Sequence, residues 1–157
     1  MKVKDCMCEE ICFVNPNANI YEVSKIMNSN NIGSVVVCDN DKKICGIVTD
    51  RDIVLRGIAC DKNTKETQVK DIMSKNPCTC SNEDTLVDIG KKMGEYQIRK
   101  LPVCNQNNEP IGFISFGDIA KHSKELNSNE VTSTIEKICC NCNTDTKNNY
   151  QKTTIKK

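Results

Sequence analysis

The sequence predicts an α+β fold in which two copies of one β-α-β-β-α unit pack about an approximate twofold axis. Three observations lead to it. The first is an internal repeat: Val3-Lys4-Asp5-Cys6-Met7 returns as Val69-Lys70-Asp71-Ile72-Met73, and the same offset of 66 pairs Cys12 with Cys78, Met27 with Met93, Val37-Cys38 with Val103-Cys104, Gly46 with Gly112 and Asp52-Ile53 with Asp118-Ile119. Residues 3–53 and 69–119 share 13 identities in 51 ungapped positions, so the offset is a duplication and sets the period of the fold. The second is that each copy shows the same succession of hydrophobic periods, three-to-four residues and then two short continuous apolar runs. The third is size: a single copy of about 55 residues buries too little apolar surface to stand alone, so the copies must cover each other.

The elements follow in order. An extended segment opens each copy (Ile11–Val14; Cys78–Cys80), and Asn15-Pro16-Asn17 supplies a turn in the first. Ile20, Val23, Ile26 and Met27 recur at helical spacing, as do Leu86, Ile89 and Met93, with Asp84 as a candidate helix start. Val35-Val36-Val37 marks a buried strand, matched by Leu101-Pro102-Val103-Cys104. Polar turns at 39–43 and 105–109 lead to a second strand, Ile44–Val48 or Ile111–Ser115, and complete a hairpin. A closing helix is predicted at Asp50–Ala59 and at Phe116–Leu126. The domain reading is therefore repeat one at 1–60, a polar linker at 61–68, repeat two at 69–126 and a Cys-containing tail at 127–157. The tail carries one short helix at 130–142, a dimer or packing element, and is partly disordered, above all in its last fifteen residues.

Composition excludes several classes. Twenty-two basic against 21 acidic residues leave a net charge of +1, which is no footprint for nucleic acid. No apolar run approaches the ~18 residues of a membrane span, and no basic-then-apolar leader opens the chain, so a soluble cytoplasmic protein is expected. A single histidine, His122, rules out mechanisms that need two, and no nucleophile–base pair can be assembled, so no enzyme is expected. His122 itself reads as a surface helix position.

The segment Gly46-Ile47-Val48-Thr49-Asp50-Arg51-Asp52-Ile53-Val54-Leu55-Arg56-Gly57-Ile58-Ala59 resembles the end of a CBS domain, the module named after cystathionine beta-synthase. Arg99-Lys100-Leu101-Pro102-Val103 and Gly112-Phe113-Ile114-Ser115-Phe116-Gly117-Asp118-Ile119 resemble it again, as does the Val-Lys-Asp-x-Met opening of each copy. The resemblance spans residues 3–125 and implies a tandem CBS pair. It further implies a module that senses cellular energy by binding AMP, ADP, ATP or S-adenosylmethionine in clefts between the repeats. Such modules form homodimers and regulate another protein.

Both copies carry Gly-x-x-Thr/Ser-x-x-Asp: Gly46, Thr49, Asp52 and Gly112, Ser115, Asp118. A hydroxyl residue where a strand meets a helix is a natural N-cap, and free first-turn N–H groups attract phosphate. An Asp three residues on can accept from ribose hydroxyls. The resemblance assigns ribose to Asp52 and Asp118, and phosphate or ribose to Thr49 and Ser115. The plainer use of the same pattern is a capping box that stabilises a helix with no ligand. Arg99 and Lys100, where copy one has Gly33 and Ser34, are candidate phosphate ligands, and Arg51, opposite Gly117, is a third. The resemblance sets adenine against Cys12 and Phe13 in one copy and Cys78 and Thr79 in the other. Residues of these types in such places are more often core or edge packing, and packing is also the first reading of Phe116, at the place of Asp50.

Twelve cysteines without a secretory leader read as thiols rather than disulfides. Cys6-x-Cys8, Cys78-x-Cys80 and Cys139-Cys140-x-Cys142 do not form two matched zinc-ligand pairs, so no metal site is assigned. Cys38, Cys45 and Cys104 read as small buried apolar residues. Two other classes stay open: a structural or partner-binding module without ligand, and a thiol- or metal-responsive sensor.

Overall fold

The computed structural model describes residues 1–122, 132, 133 and 136–138. Repeat one runs β1 (Phe13–Val14), α1 (Ile20–Asn30), β2 (Ser34–Cys38), β3 (Ile44–Thr49) and α2 (Asp50–Asp52). It continues as a π turn (Ile53–Gly57) and a 3-10 turn (Ile58–Cys60). Repeat two, preceded by a short β4 (Ser74–Lys75), runs β5 (Cys80–Ser81), α3 (Leu86–Tyr96), β6 (Lys100–Cys104), β7 (Pro110–Ser115) and α4 (Phe116–Lys121). The predicted β-α-β-β-α order is present twice. Asn19 caps α1, its Oδ1 accepting from Glu22 N. Thr85 rather than Asp84 caps α3; the Asp84 carboxylate instead accepts from Ser81 N and closes the preceding turn.

One sheet orders as β1-β2-β3-β4, its last strand coming from the opening of repeat two, and the other as β5-β6-β7. After their first residues, Ser34 and Lys100, the middle strands are apolar because both faces are covered. Val35 and Val37 turn toward α1, Leu101 and Val103 toward α3. The alternate residues Val36 and Cys38 turn the other way and meet Cys104 and Phe113 in a third buried cluster, together with Ile44. That cluster is the seam between the repeats. It sets equivalent residues, such as Cys38 and Cys104, on either side of an approximate twofold, and Ile44 N donates to Asn108 O across it at 3.1 Å.

One feature of the packing was not predicted. Each Val-Lys-Asp-x-Met opening packs on the other repeat. Val3 is fully buried in the repeat-two core, where its N–H donates to Asp84 O at 2.9 Å, and Cys8 exchanges two 2.8 Å bonds with Phe113 on β7. Reciprocally, Val69 and Ile72 enter the repeat-one core, Val69 N donates to Ala18 O, and β4 pairs with β3 (Ser74 opposite Ile47). Gly112 permits the first crossing, since a β-carbon there would lie 2.5 Å from Cys8 O.

The predicted closing helix at Phe116–Leu126 is described as α4 to Lys121, with His122 as its half-buried C-cap. Of the tail helix at 130–142, residues 132, 133 and 136–138 are described and helical. Ile138 is buried in the repeat-two core, and Gln97 Nε2 donates to Lys137 O at 3.0 Å, so this segment is a packing element. The last fifteen residues and Cys139, Cys140 and Cys142 lie outside the described residues.

Candidate functional site

The two Thr/Ser-x-x-Asp motifs fold into matching caps. In repeat one the Thr49 amide and hydroxyl both donate to Asp52 Oδ2 (2.9 and 2.8 Å), while Asp52 N donates back to Thr49 Oγ1 at 3.1 Å. In repeat two the Ser115 amide and hydroxyl donate to Asp118 Oδ2, and Asp118 N donates to Ser115 Oγ at 3.2 Å. Both are complete capping boxes. The plainer reading of the motif is thus realised, and the first-turn amides of Asp52 and Asp118 are already partnered.

What is left over is the second carboxylate oxygen. Asp52 Oδ1 faces Arg56 Nη1 at 3.4 Å, and Asp118 Oδ1 faces Lys121 Nζ at 3.2 Å. Both cations are more than half exposed, so these pairs are weak and exchangeable. A carboxylate has about four lone-pair positions, which leaves each aspartate capacity for further donors. Burial raises the Asp118 carboxyl, but the Ser115 hydroxyl and amide and Lys121 outweigh it and hold the group below its ordinary value. Asp118 therefore stays an acceptor at neutral pH.

Strand register gathers the other predicted residues around these caps. Ser34 pairs with Thr49 and Asp50 N donates to Gly33 O; Lys100 pairs with Ser115 and Phe116 N donates to Arg99 O. Arg99 is exposed. Lys100 is half-buried, with Nζ 4.4 Å above the Phe113 ring, and so reaches the seam. Arg51 is exposed beside Asp50. Cys12 and Phe13 lie one strand over, where Val36 N donates to Cys12 O at 3.2 Å, and Phe13 is 55% exposed. In repeat two Pro102 has no N–H to give to Cys78, the position equivalent to Cys12.

Thr79 is drawn elsewhere. Its carbonyl accepts from Lys92 Nζ at 3.0 Å, and with Cys80, Ser81, Asp84 and the 105–108 turn it lines a cleft of about 410 Å³. That cleft sits at the turn end of β6, away from Ser115, Asp118, Arg99 and Lys100.

Three site residues had no role in the sequence reading. Arg56 also donates to Ile72 O at 3.0 Å and so ties the Asp52 cap to the crossed segment. Lys121 pairs with Asp118. The i,i+4 and i,i+3 spacings to the two aspartates were the available signal. Cys6, brought in by the crossing, is pushed up by burial and then by the charges of Asp118 and Asp5, which places it beside the repeat-two cap; no sequence pattern marks that proximity.

The strand cysteines are neutral thiols. Burial pushes Cys38 up to about 11 and Cys80 up to about 12, each helped by neighbouring acids and thiols, and burial raises Cys45, Cys78 and Cys104 as well. Among the described residues no three His, Cys, Asp or Glu side chains converge to hold a metal ion, and no helix is long and apolar enough to cross a membrane.

The sequence matches the CBS domain family twice, over residues 3–57 and 69–125. The chain belongs to the CBS domain family. Its likeness to the CBS domain-containing protein YhcV of Bacillus subtilis is 35% identity over 118 residues, 75% of this chain and 82% of the relative. The fold is shared with the CBS domain protein TA0289 of Thermoplasma acidophilum, at a TM-score of 0.74, 23% identity and coverage of 87% and 75% of the two chains. It is shared too with the CBS domain pair of protein MJ0100, solved in complex with 5′-methylthioadenosine and S-adenosyl-L-methionine. There the TM-score is 0.70 and the identity 26%, over 77% of this chain and 98% of that one. The tandem α+β CBS pair is accordingly the architecture of this protein.

Proposed function

We propose that this CBS pair is a cytoplasmic regulatory module, without catalysis of its own, that binds an adenosine-bearing ligand at its duplicated caps. The ligand class is AMP, ADP, ATP or S-adenosylmethionine. Asp52 and Asp118 take ribose hydroxyls, Thr49 and Ser115 sit by the ribose or phosphate, and Arg99, Lys100 and Arg51 are the cations available to an anionic group. Cys12, Phe13 and Cys78 stand toward the base; Thr79, which lines the cleft at the turn end of β6, does not. The observation that carries this reading is that both aspartates keep an outward oxygen engaged only by an exposed cation, at caps built identically in the two repeats. The MJ0100 pair, bound to the thioether 5′-methylthioadenosine and the sulfonium S-adenosyl-L-methionine, supports the ligand class.

Signalling passes through a homodimer to a separate partner protein. The exposed apolar side chains Val54, Leu55 and Ile58 on the helical stretch after β3 suit contact with a second copy. Light scattering coupled to size exclusion, on wild type and on Leu55→Glu, tests that step.

Isothermal titration of the full chain with each of the four ligands tests binding. Saturable heat with at least one supports the reading. No heat and no thermal shift with any of them favours the second reading, a structural or partner-binding module, in which the two complete capping boxes serve only to start their helices.

A further inference from the structure

The two caps are built alike, but their surroundings differ in charge. At the eight positions around the repeat-one cap (33, 34, 49–52, 55 and 56) there are two acids and two cations, Asp50 and Asp52 against Arg51 and Arg56. At the equivalent positions in repeat two there are three cations, Arg99, Lys100 and Lys121, against Asp118 alone. The first set is neutral and the second carries +2.

The geometry sharpens the contrast. A β-carbon added at Gly33 would lie 3.1 Å from Asp50 Oδ2, so the Asp50 carboxylate stands at the root of the position that carries Arg99 in repeat two. Position 33 brings no charge of its own and has an acid beside it, where its equivalent brings a cation. Arg56 pairs with Asp52 and Lys121 with Asp118, so these cancel within each repeat, and the contrast rests on Asp50 and Arg51 against Arg99 and Lys100. In repeat two the position of Asp50 is the uncharged Phe116. Lys100 Nζ lies over the Phe113 ring, at the seam, with no acidic partner among the ion pairs of the described residues.

We propose that the two clefts divide adenosine ligands by charge. The Ser115–Asp118 cleft takes an adenosine polyphosphate, and the Thr49–Asp52 cleft takes adenosine bearing a neutral or positively charged sulfur substituent. This rests on the adenosine reading above and goes beyond it by assigning a different class to each cleft. Arg99 and Lys100 supply charge-assisted bonds to phosphate oxygens. Asp50 repels phosphate and attracts a sulfonium or ammonium group. Because Arg99 and Lys100 are solvent-accessible, their attraction is screened by salt.

The test is titration of the full chain with ATP and with S-adenosylmethionine, at two salt concentrations, in wild type, Arg99→Ala/Lys100→Ala and Asp50→Asn. Arg99 and Asp50 are exposed and Lys100 is half-buried, so thermal melts are expected to show folded variants. The double variant raises the ATP dissociation constant about tenfold or more and abolishes its salt dependence, with S-adenosylmethionine binding within twofold of wild type. Asp50→Asn weakens S-adenosylmethionine severalfold and leaves ATP at the repeat-two cleft unchanged. If wild type binds both ligands but the variants shift them together, or shift neither, the division by charge is wrong while the adenosine reading survives. If wild type binds neither, both fall.

Discussion

Removing the Val3 side chain tests the crossed packing directly. Val3 is fully buried among Leu86, Ile89, Met93, Leu101 and Ile114, all of them repeat-two residues, although it opens repeat one in the sequence. Val3→Ala deletes two methyl groups, worth about 1.6 kcal/mol in transfer energy at ~0.8 per group. The cavity left behind brings the cost to about 2–3 kcal/mol. For a body of this size that lowers the melting temperature by about 4–10 °C. The informative assay is hydrogen exchange resolved along the chain. Amides of α3, β6 and β7 should lose protection, while those of α1, β2 and β3 keep theirs, and Val69→Ala should produce the mirror image. Loss of protection in α1 and β2 on Val3→Ala would refute the crossing.

Other perturbations follow from the same contacts. Gly112→Ala places a β-carbon against Cys8 O, a backbone atom that cannot swing away, whereas Gly46→Ala meets only the flexible Met73 side chain; chemical denaturation should show the first to cost at least 1 kcal/mol more than the second. Asp118 has a folded pKa below its unfolded one, so its contribution is present above pH ~4 and is lost as pH falls through the folded value. Asp118→Asn should therefore cost about 1–2 kcal/mol at neutral pH and close the gap to wild type in acid melts. Cys38 and Cys80, raised to about 11 and about 12, contribute stability that is full below pH ~8.5 and lost as pH climbs toward those values. Both should stay unmodified by a thiol reagent at pH 8 in the native protein, read by peptide mass mapping, and react at once in denaturant. Asp52→Ala and Asp118→Ala should each weaken ligand binding by about 1–3 kcal/mol in titrations; unchanged affinity in both would remove the ribose assignment.

The repeat, the element order and the two caps were legible in the sequence because they depend on local spacing. Thr49 and Asp52 sit three residues apart, and a capping box needs nothing else. The apolar run at Val35–Val37 announced a strand covered on both faces. What could not be read is where the equivalent openings go. Val3 and Val69 have the same neighbours in sequence, and only tertiary packing decides that each serves the opposite core. The Asp50–Gly33 contact was hidden for a similar reason: it depends on the pairing of β2 with β3, which brings residues seventeen apart in the chain to one point.

The crossed openings also bear on biosynthesis. A nascent chain that has emerged only to residue 60 lacks Val69 and Ile72, which plug its own first core, and carries a Val3 segment whose berth has not yet been made. The first core can close only once residue 75 has emerged, and the second must wait for the rest of repeat two before it can receive Val3. A protein severed in its linker would yield halves that are each unfinished, until a second half supplies the missing piece.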